Sequence, residues 1–171
     1  MRFITQYSKN IINYDFINKF QFKKLKSIPK IDYVNLYFNF KKSDIKLIVS
    51  ALLALEVLTF QKGSLILTKS SNISLKLKKG NPIGCKVTLR KNKINLFILK
   101  LLNTTIPKQS KKILTNKKAF SFKLNNILNF SELEKNYQFF KNLLALNITI
   151  KLTTNNIKEL NFLLKSLKLI T

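Results

Sequence analysis

Few side chains in this chain are of a type that performs acid–base or covalent chemistry, and none is placed to perform it. There is no histidine among 171 residues, which removes the commonest proton carrier near neutral pH. The seven acids are scattered, with Glu132 and Glu134 the closest pair. Ser131-x-x-Glu134 reads as a helix capping box rather than a carboxylate dyad. Cys85 is the only cysteine, so no internal disulfide can form. With one cysteine and no histidine, no zinc ligand set exists. Cys85 is read as a small buried residue. Three glycines are too few for a Gly-rich phosphate cradle. The expectation is a protein that is not an enzyme and that carries no cofactor and no metal.

The chemistry that remains is the binding of polyanions. The chain carries 32 Lys+Arg against 7 Asp+Glu, a formal charge of +25. Such self-repulsion calls for a polyanionic partner, either nucleic acid or an anionic membrane. The most pointed stretch is Lys78-Lys79-Gly80-Asn81-Pro82-Ile83-Gly84-Cys85-Lys86-Val87-Thr88-Leu89-Arg90. It places two of three glycines and one of three prolines within five positions. Glycine permits positive φ and proline holds φ near −65°. The segment reads as a shaped basic turn, residues 80–84, leading into a strand. It is longer and more basic than an ordinary hairpin loop. Lys76, Lys78, Lys86 and Arg90 form a basic strand face. Between Asp44 and Glu132 the only acid is Glu56. A solvated face normally mixes signs, so RNA contact is the stronger reading.

The elements that must position these residues follow from periodicity. Ile4, Tyr7, Ile11, Tyr14, Ile17 and Phe20 recur at helical spacing. Lys23, Lys24 and Lys26 follow, and Pro29 ends helical continuation. Alternation predicts strands at residues 34–40, 65–68, 73–78, 86–90, 120–124 and 146–152. Helices are expected at 45–59 after Asp44, at 93–102 closed by Pro107, and from 157 after Asn156. The last has Ile157, Leu160, Leu163, Leu164 and Leu167 on one face. Residues 108–118 read as a basic loop, either solvated or ordering on RNA. Residues 125–142 read as a helix capped by Ser131 or as irregular chain. The phenylalanines at strand and helix positions follow the core periods, and most read as packing rather than base stacking. The resulting fold class is α+β: a two-layer sandwich with an antiparallel-rich sheet and helices on one face. The whole chain, 1–171, reads as one domain, with an N-terminal helix and basic linker over 1–27 and the sandwich over 28–171. No stretch has the ~18–20 apolar residues of a membrane span. No transit or signal peptide is read at the N-terminus.

These residues together resemble one family. Gly80-x-Pro82-Ile83-Gly84-Cys85-Lys86-Val87-Thr88-Leu89-Arg90 is similar to the signature of bacterial-type large-subunit ribosomal protein L-five. Phe60-Gln61-Lys62-Gly63 resembles that family's Gly-Gln-Lys-Pro turn, and Ile28-Pro29-Lys30-Ile31 its entry to the first strand. Further likeness runs through residues 97–107, Phe130, Glu132 and Leu133, and 146–153. The resemblance implies a structural constituent of the large ribosomal subunit in the central protuberance. It implies binding to 5S rRNA and adjacent large rRNA, a basic loop near P-site tRNA, neighbouring ribosomal proteins and a bridge to the small subunit. Carried over, the loop is residues 71–84, with Ser71, Lys76, Lys78, Lys79, Gly80, Pro82 and Gly84. The RNA-side residues are Gln61 and Lys62, with Lys23, Lys24, Lys69, Lys86 and Arg90. Where the family has Asn-x-Gly-x-Gly, this chain reads Tyr37, Asn39 and Lys41. Composition rich in Lys, Asn, Ile, Leu and Phe points to an AT-rich genome, here read as a mitochondrion that encodes the protein. The competing class is a basic peripheral membrane protein, which would concentrate its lysines on amphipathic helices.

Overall fold

The computed structural model describes residues 6–20, 22, 27–40, 42–71, 73–74, 76–104, 114–116, 118–154 and 156–169. Six strands form one sheet in the order β2-β3-β1-β6-β5-β4. They are β1 (Ile31–Asn39), β2 (Ser64–Leu67), β3 (Pro82–Arg90), β4 (Leu114–Asn116), β5 (Ala119–Leu124) and β6 (Leu146–Leu152). Every neighbouring pair is antiparallel. The helices are α1 (Asn13–Phe20), α2 (Ile45–Thr59), α3 (Asn92–Asn103), α4 (Ser131–Glu134), α5 (Tyr137–Phe140) and α6 (Ile157–Ser166). A π-helical turn, Ser8–Ile12, leads into α1.

The strict alternation of apolar residues decides the layers. Val34, Leu36 and Phe38 of β1 are fully buried, as are Cys85 and Leu89 of β3 and Ile148 and Ile150 of β6. They face α2 and α3, whose Ala51, Leu55, Phe97 and Ile98 are equally buried. Burying each large aliphatic side chain contributes about 1.5–3 kcal/mol. Val87 of β3, Phe120, Phe122 and Leu124 of β5 and Leu146 and Leu152 of β6 join that buried side, while the alternate positions of β1 and β6, and Lys86, Thr88 and Arg90 of β3, are half-buried or exposed. α2 begins where Asp44 accepts a hydrogen bond from the Lys46 amide at 3.1 Å, a standard N-cap. The N-terminal helix is fastened to α6: Phe16 meets Phe162 edge-on at 4.9 Å between centroids.

Several expectations need correction. The described residues of 73–78 do not form a strand; Leu77 makes a single bridge. The Lys76 amide bonds to the Ile73 carbonyl at 3.0 Å in a turn, and Lys76 has φ 53°, which extended chain cannot adopt. Ile73 is 93% exposed, and of that expected apolar face Leu77 is buried. The turn is shorter than 80–84, because Pro82 and Gly84 already belong to β3. Within the expected 108–118 loop, Leu114–Asn116 is an edge strand paired with β5; Pro107 and residues 108–113 lie outside the described residues. Residues 125–142 hold two short helices. The capping box is not made: Phe130 occupies the N-cap position, and the Ser131 hydroxyl donates to Glu132 instead. Asn156 sits at the α6 N-cap without a backbone bond from its side chain; its amide donates to Glu159 at 3.2 Å. Ile157 is 46% exposed and off the buried face.

Candidate nucleic-acid interface

The uncovered face of the sheet is built by the same alternation that buries the other. Strand register aligns its side chains into three rows across β3, β1, β6 and β5. The first row is Arg90, Tyr33, Lys151 and Ala119; the second is Thr88, Asn35, Thr149 and Ser121; the third is Lys86, Tyr37, Asn147 and Lys123. Strands lie about 4.8 Å apart and alternate residues about 6.6 Å along a strand, so the grid spans roughly 14 by 13 Å. Four of its positions are cations, two are tyrosines and none is an acid. Each tyrosine has a cation on a neighbouring strand: Arg90 and Lys151 flank Tyr33, and Lys86 pairs with Tyr37.

The middle row is locked. The Thr88 hydroxyl donates to the Asn35 side chain at 2.8 Å, and the Ser121 hydroxyl donates to that of Thr149 at 3.1 Å. These bonds hold the polar row rigid, so that it presents a prepared surface. Beside it lies Gln61. Its amide nitrogen donates to the Thr88 carbonyl at 3.3 Å and its oxygen accepts from Lys93 at 2.9 Å. Gln61 thereby becomes a fixed edge of the platform, with Lys62 exposed next to it. Gly63 closes that turn because its amide bonds to Glu56 at 3.1 Å and a side chain would meet Leu52 at 2.6 Å.

At the other end of the β2–β3 hairpin, residues 68–81 project as a loop. Its neck is clamped at Thr68. The Thr68 amide bonds to the Asn81 carbonyl at 2.9 Å, its carbonyl accepts from Gly80 at 3.1 Å, and its hydroxyl donates to the Lys78 carbonyl at 2.6 Å. Leu77 is the buried anchor. Lys69, Ser71, Lys76, Lys78, Lys79 and Gly80 are all exposed on the loop. Gly80 has φ 88°, a conformation glycine adopts without strain. Pro82 is half-buried and Gly84 buried in β3; these two shape the neck. A β-bulge where Leu67 meets Pro82 accommodates the ring.

The sequence-predicted residues therefore fall into two groups. Lys86 and Arg90 join Gln61 and Lys62 on and beside the platform. The loop residues lie beyond the far end of β3, roughly 20 Å from Thr88 along six residues of strand. Lys23 and Lys24 lie outside the described residues. Sequence reasoning missed Tyr33, Asn35, Tyr37, Thr88, Lys123, Asn147, Thr149 and Lys151. Their signal was present in the outward positions of strands read for their inward ones. Most phenylalanines pack in the core as read, among them Phe16, Phe38, Phe97, Phe120 and Phe130, while Phe60 is 71% and Phe139 69% exposed.

Not every charge points outward. Lys100 pairs with Glu132 at 2.7 Å, donates to the Leu58 carbonyl at 3.1 Å and lies 4.5 Å from the Phe60 ring centre. Burial works to raise the Glu132 carboxyl. The hydrogen bond and charge of Lys100, together with the Ser131 hydroxyl, outweigh it and hold the pKa below the ordinary value. Burial pushes the Cys85 thiol up to about 11, so it is a packing group with no reactive thiolate at neutral pH. No group of three or more potential metal ligands occurs among the described residues.

Comparison with known proteins agrees with this architecture. Residues 82–170 match the family model that describes the C-terminus of the ribosomal L-five family. The chain is 32% identical over 182 aligned residues to large ribosomal subunit protein uL5m of Reclinomonas americana, covering 99% of this chain and 97% of that protein. It is 34% identical over 164 residues to uL5 of Karelsulcia muelleri, covering 92% and 88%. Against uL5 of Geotalea uraniireducens it is 32% identical over 165 residues, covering 93% and 92%. With the sheet, the glycine-proline turn and this end-to-end similarity in agreement, the chain belongs to the uL5 family of large-subunit ribosomal proteins, structural constituents of the ribosome and not enzymes.

Proposed function

We propose that the open sheet face binds rRNA in the central protuberance, either 5S rRNA or the large rRNA beside it, and that residues 68–81 reach towards P-site tRNA. One observation carries the reading: twelve aligned outward positions hold four cations, two tyrosines and no acid. Lys86, Arg90, Lys123 and Lys151 neutralise phosphates, while Thr88, Asn35 and Gln61 offer a rigid polar edge. Recognition is by shape, since phosphate contacts position the partner and carry little sequence information. Tyr37 stands where the family's motif has asparagine, and it offers RNA a ring in place of an amide. The loop extends this surface, and other faces serve neighbouring proteins and the bridge to the small subunit. The site of action is the mitochondrial ribosome, a reading supported by the likeness to a uL5m protein and by the AT-rich composition. The cations lie on strands and a loop as well as on helices, which favours RNA over a membrane surface. No helix among the described residues is long and apolar enough to cross a membrane.

The test is binding to 5S rRNA and to a central-protuberance rRNA fragment across a salt series. Replacing Lys86, Arg90, Lys123 and Lys151 by Ala should flatten the slope of log K against log salt by about 3, near 0.7–0.9 per lost phosphate contact. An unchanged slope would remove the sheet face from the RNA interface. Imaging of the intact ribosome beside residues 34–42 and 61–63 then tells 5S rRNA from large rRNA.

A further inference from the structure

We propose that the outer side of α2 docks a helix from a neighbouring protein, one with an apolar ridge flanked by acidic residues. α2 is apolar on two sides. Ile48, Ala51, Ala54, Leu55 and Leu58 bury its inner side. Its outer side carries Ile45, Val49 and Leu53, which are 71%, 50% and 47% exposed. These sit at i, i+4 and i+8, a straight ridge about 12 Å long. Single exposed aliphatics are ordinary, but a helix apolar on both sides is a buried helix. Beside the ridge a groove of about 220 Å³ separates Ser50 on α2 from Phe139 and Leu143. Phe139, 69% exposed, forms its far wall. A ridge next to a groove is the relief against which a helix packs.

Charge identifies the occupant. Along its fifteen residues α2 carries one lysine and one glutamate, in a chain whose net charge is +25. Glu56 is already engaged by the Gly63 amide at 3.1 Å. Ile45, Val49 and Leu53 offer a phosphate backbone no counter-charge, so RNA gains nothing there. A second copy of the chain would bring a further +25 against the first and is repelled. The start of the ridge is cationic instead: Lys42 and Lys46 lie exposed where α2 begins. An apolar helix with acids at its flanks satisfies both the ridge and its rim.

Imaging of the assembled large subunit reads the occupant directly. The expected result is a helix of another protein with apolar side chains within about 4 Å of Val49 and Leu53 and an Asp or Glu facing Lys42 or Lys46. Ribosomal RNA, a second copy or open solvent against the ridge overturns the inference. A photo-crosslinking residue at position 49 in the assembled subunit checks it in solution: a peptide of that apolar and acidic pattern supports it, and an RNA adduct or no adduct refutes it. Val49→Asp should weaken association of that partner by about tenfold or more, the loss expected from one aliphatic contact, and leave RNA affinity unchanged. Equal loss of both would place the ridge within the RNA surface and overturn the assignment.

Discussion

Gly84→Ala is the sharpest test of the sheet geometry. Gly84 pairs with Asn39, and a Cβ there would collide with the Phe38 carbonyl oxygen while standing 3.3 Å from Asn39 Oδ1 and from the Phe38 carbonyl carbon. The obstacle is backbone on a central strand, so no side-chain rotation relieves it. β1 and β3 must separate, and a shift of about 1 Å carries a typical ladder bond beyond hydrogen-bond range. The bond most directly at risk is Phe40 N–H to the Ile83 carbonyl, now 2.8 Å. Losing that bond and one neighbour costs about 1 kcal/mol each, and overpacking adds about 1–3 kcal/mol. The sum is about 3–5 kcal/mol. At about 2–4 °C per kcal/mol for a chain of this size, Tm should fall by roughly 6–20 °C. Gly80→Ala is the control. Gly80 has φ 88° but nothing within 4 Å of a new Cβ, so only left-handed strain is incurred, about 1–2 kcal/mol and roughly 2–8 °C. Thermal unfolding followed by circular dichroism at about 1 M salt, where the Debye length is near 3 Å, keeps charge repulsion out of the comparison. A Gly84→Ala protein melting within about 2 °C of the parent, the low end of the control's range, or a larger loss from Gly80→Ala, would refute the close-approach argument.

Two further outcomes follow from the ionisable groups. Glu132 has a folded pKa below its ordinary value, so its contribution is present above the ordinary glutamate range and disappears as pH falls through the folded pKa. A partly exposed pair contributes at most about 1 kcal/mol; Glu132→Gln should therefore lower Tm by about 2–4 °C at pH 7 and by progressively less in acid, and a gap that widens in acid would contradict the pairing with Lys100. Cys85, with its thiol pushed up to about 11 and its side chain fully buried, should resist iodoacetamide at about pH 8 in the folded protein and react promptly in denaturant; rapid alkylation of the native protein would show that β3 opens at this position.

Much of the fold was legible because burial enforces a period. β1 and β6 announce themselves through Val34, Leu36 and Phe38 and through Ile148 and Ile150, and α2 through Asp44 and the apolar run behind it. The segment around Ile73 and Leu77 carries the same alternation and is not a strand. A strand needs a partner along its length, and with the hairpin closed between Thr68 and Asn81 the described residues of the segment turn instead, leaving a single bridge at Leu77. The reverse holds for Leu114–Asn116: nothing local marks it, and only β5 beside it makes it a strand. Phe60 stands where the family's turn has glycine. Its φ of 51° is that of the left-handed cap that ends α2, its amide bonded to the Glu56 carbonyl at 2.8 Å, and its exposed ring lies against Lys100.

Composition and period suffice to establish a basic α+β protein with a stiff glycine-proline segment and to lead one to expect a polyanionic partner, because charge and alternation are properties of the chain read in order. The interface depends on pairing instead. Arg90 and Lys151 stand 57 and 118 positions from Tyr33 along the chain, and each alone is an unexceptional outward residue. Strand register puts the three in one row, and a shift of a single residue would turn each to the opposite face. The helix layer then leaves that one face open, so the basic platform and the apolar ridge of α2 exist only once the sheet has paired and the helices have chosen a side.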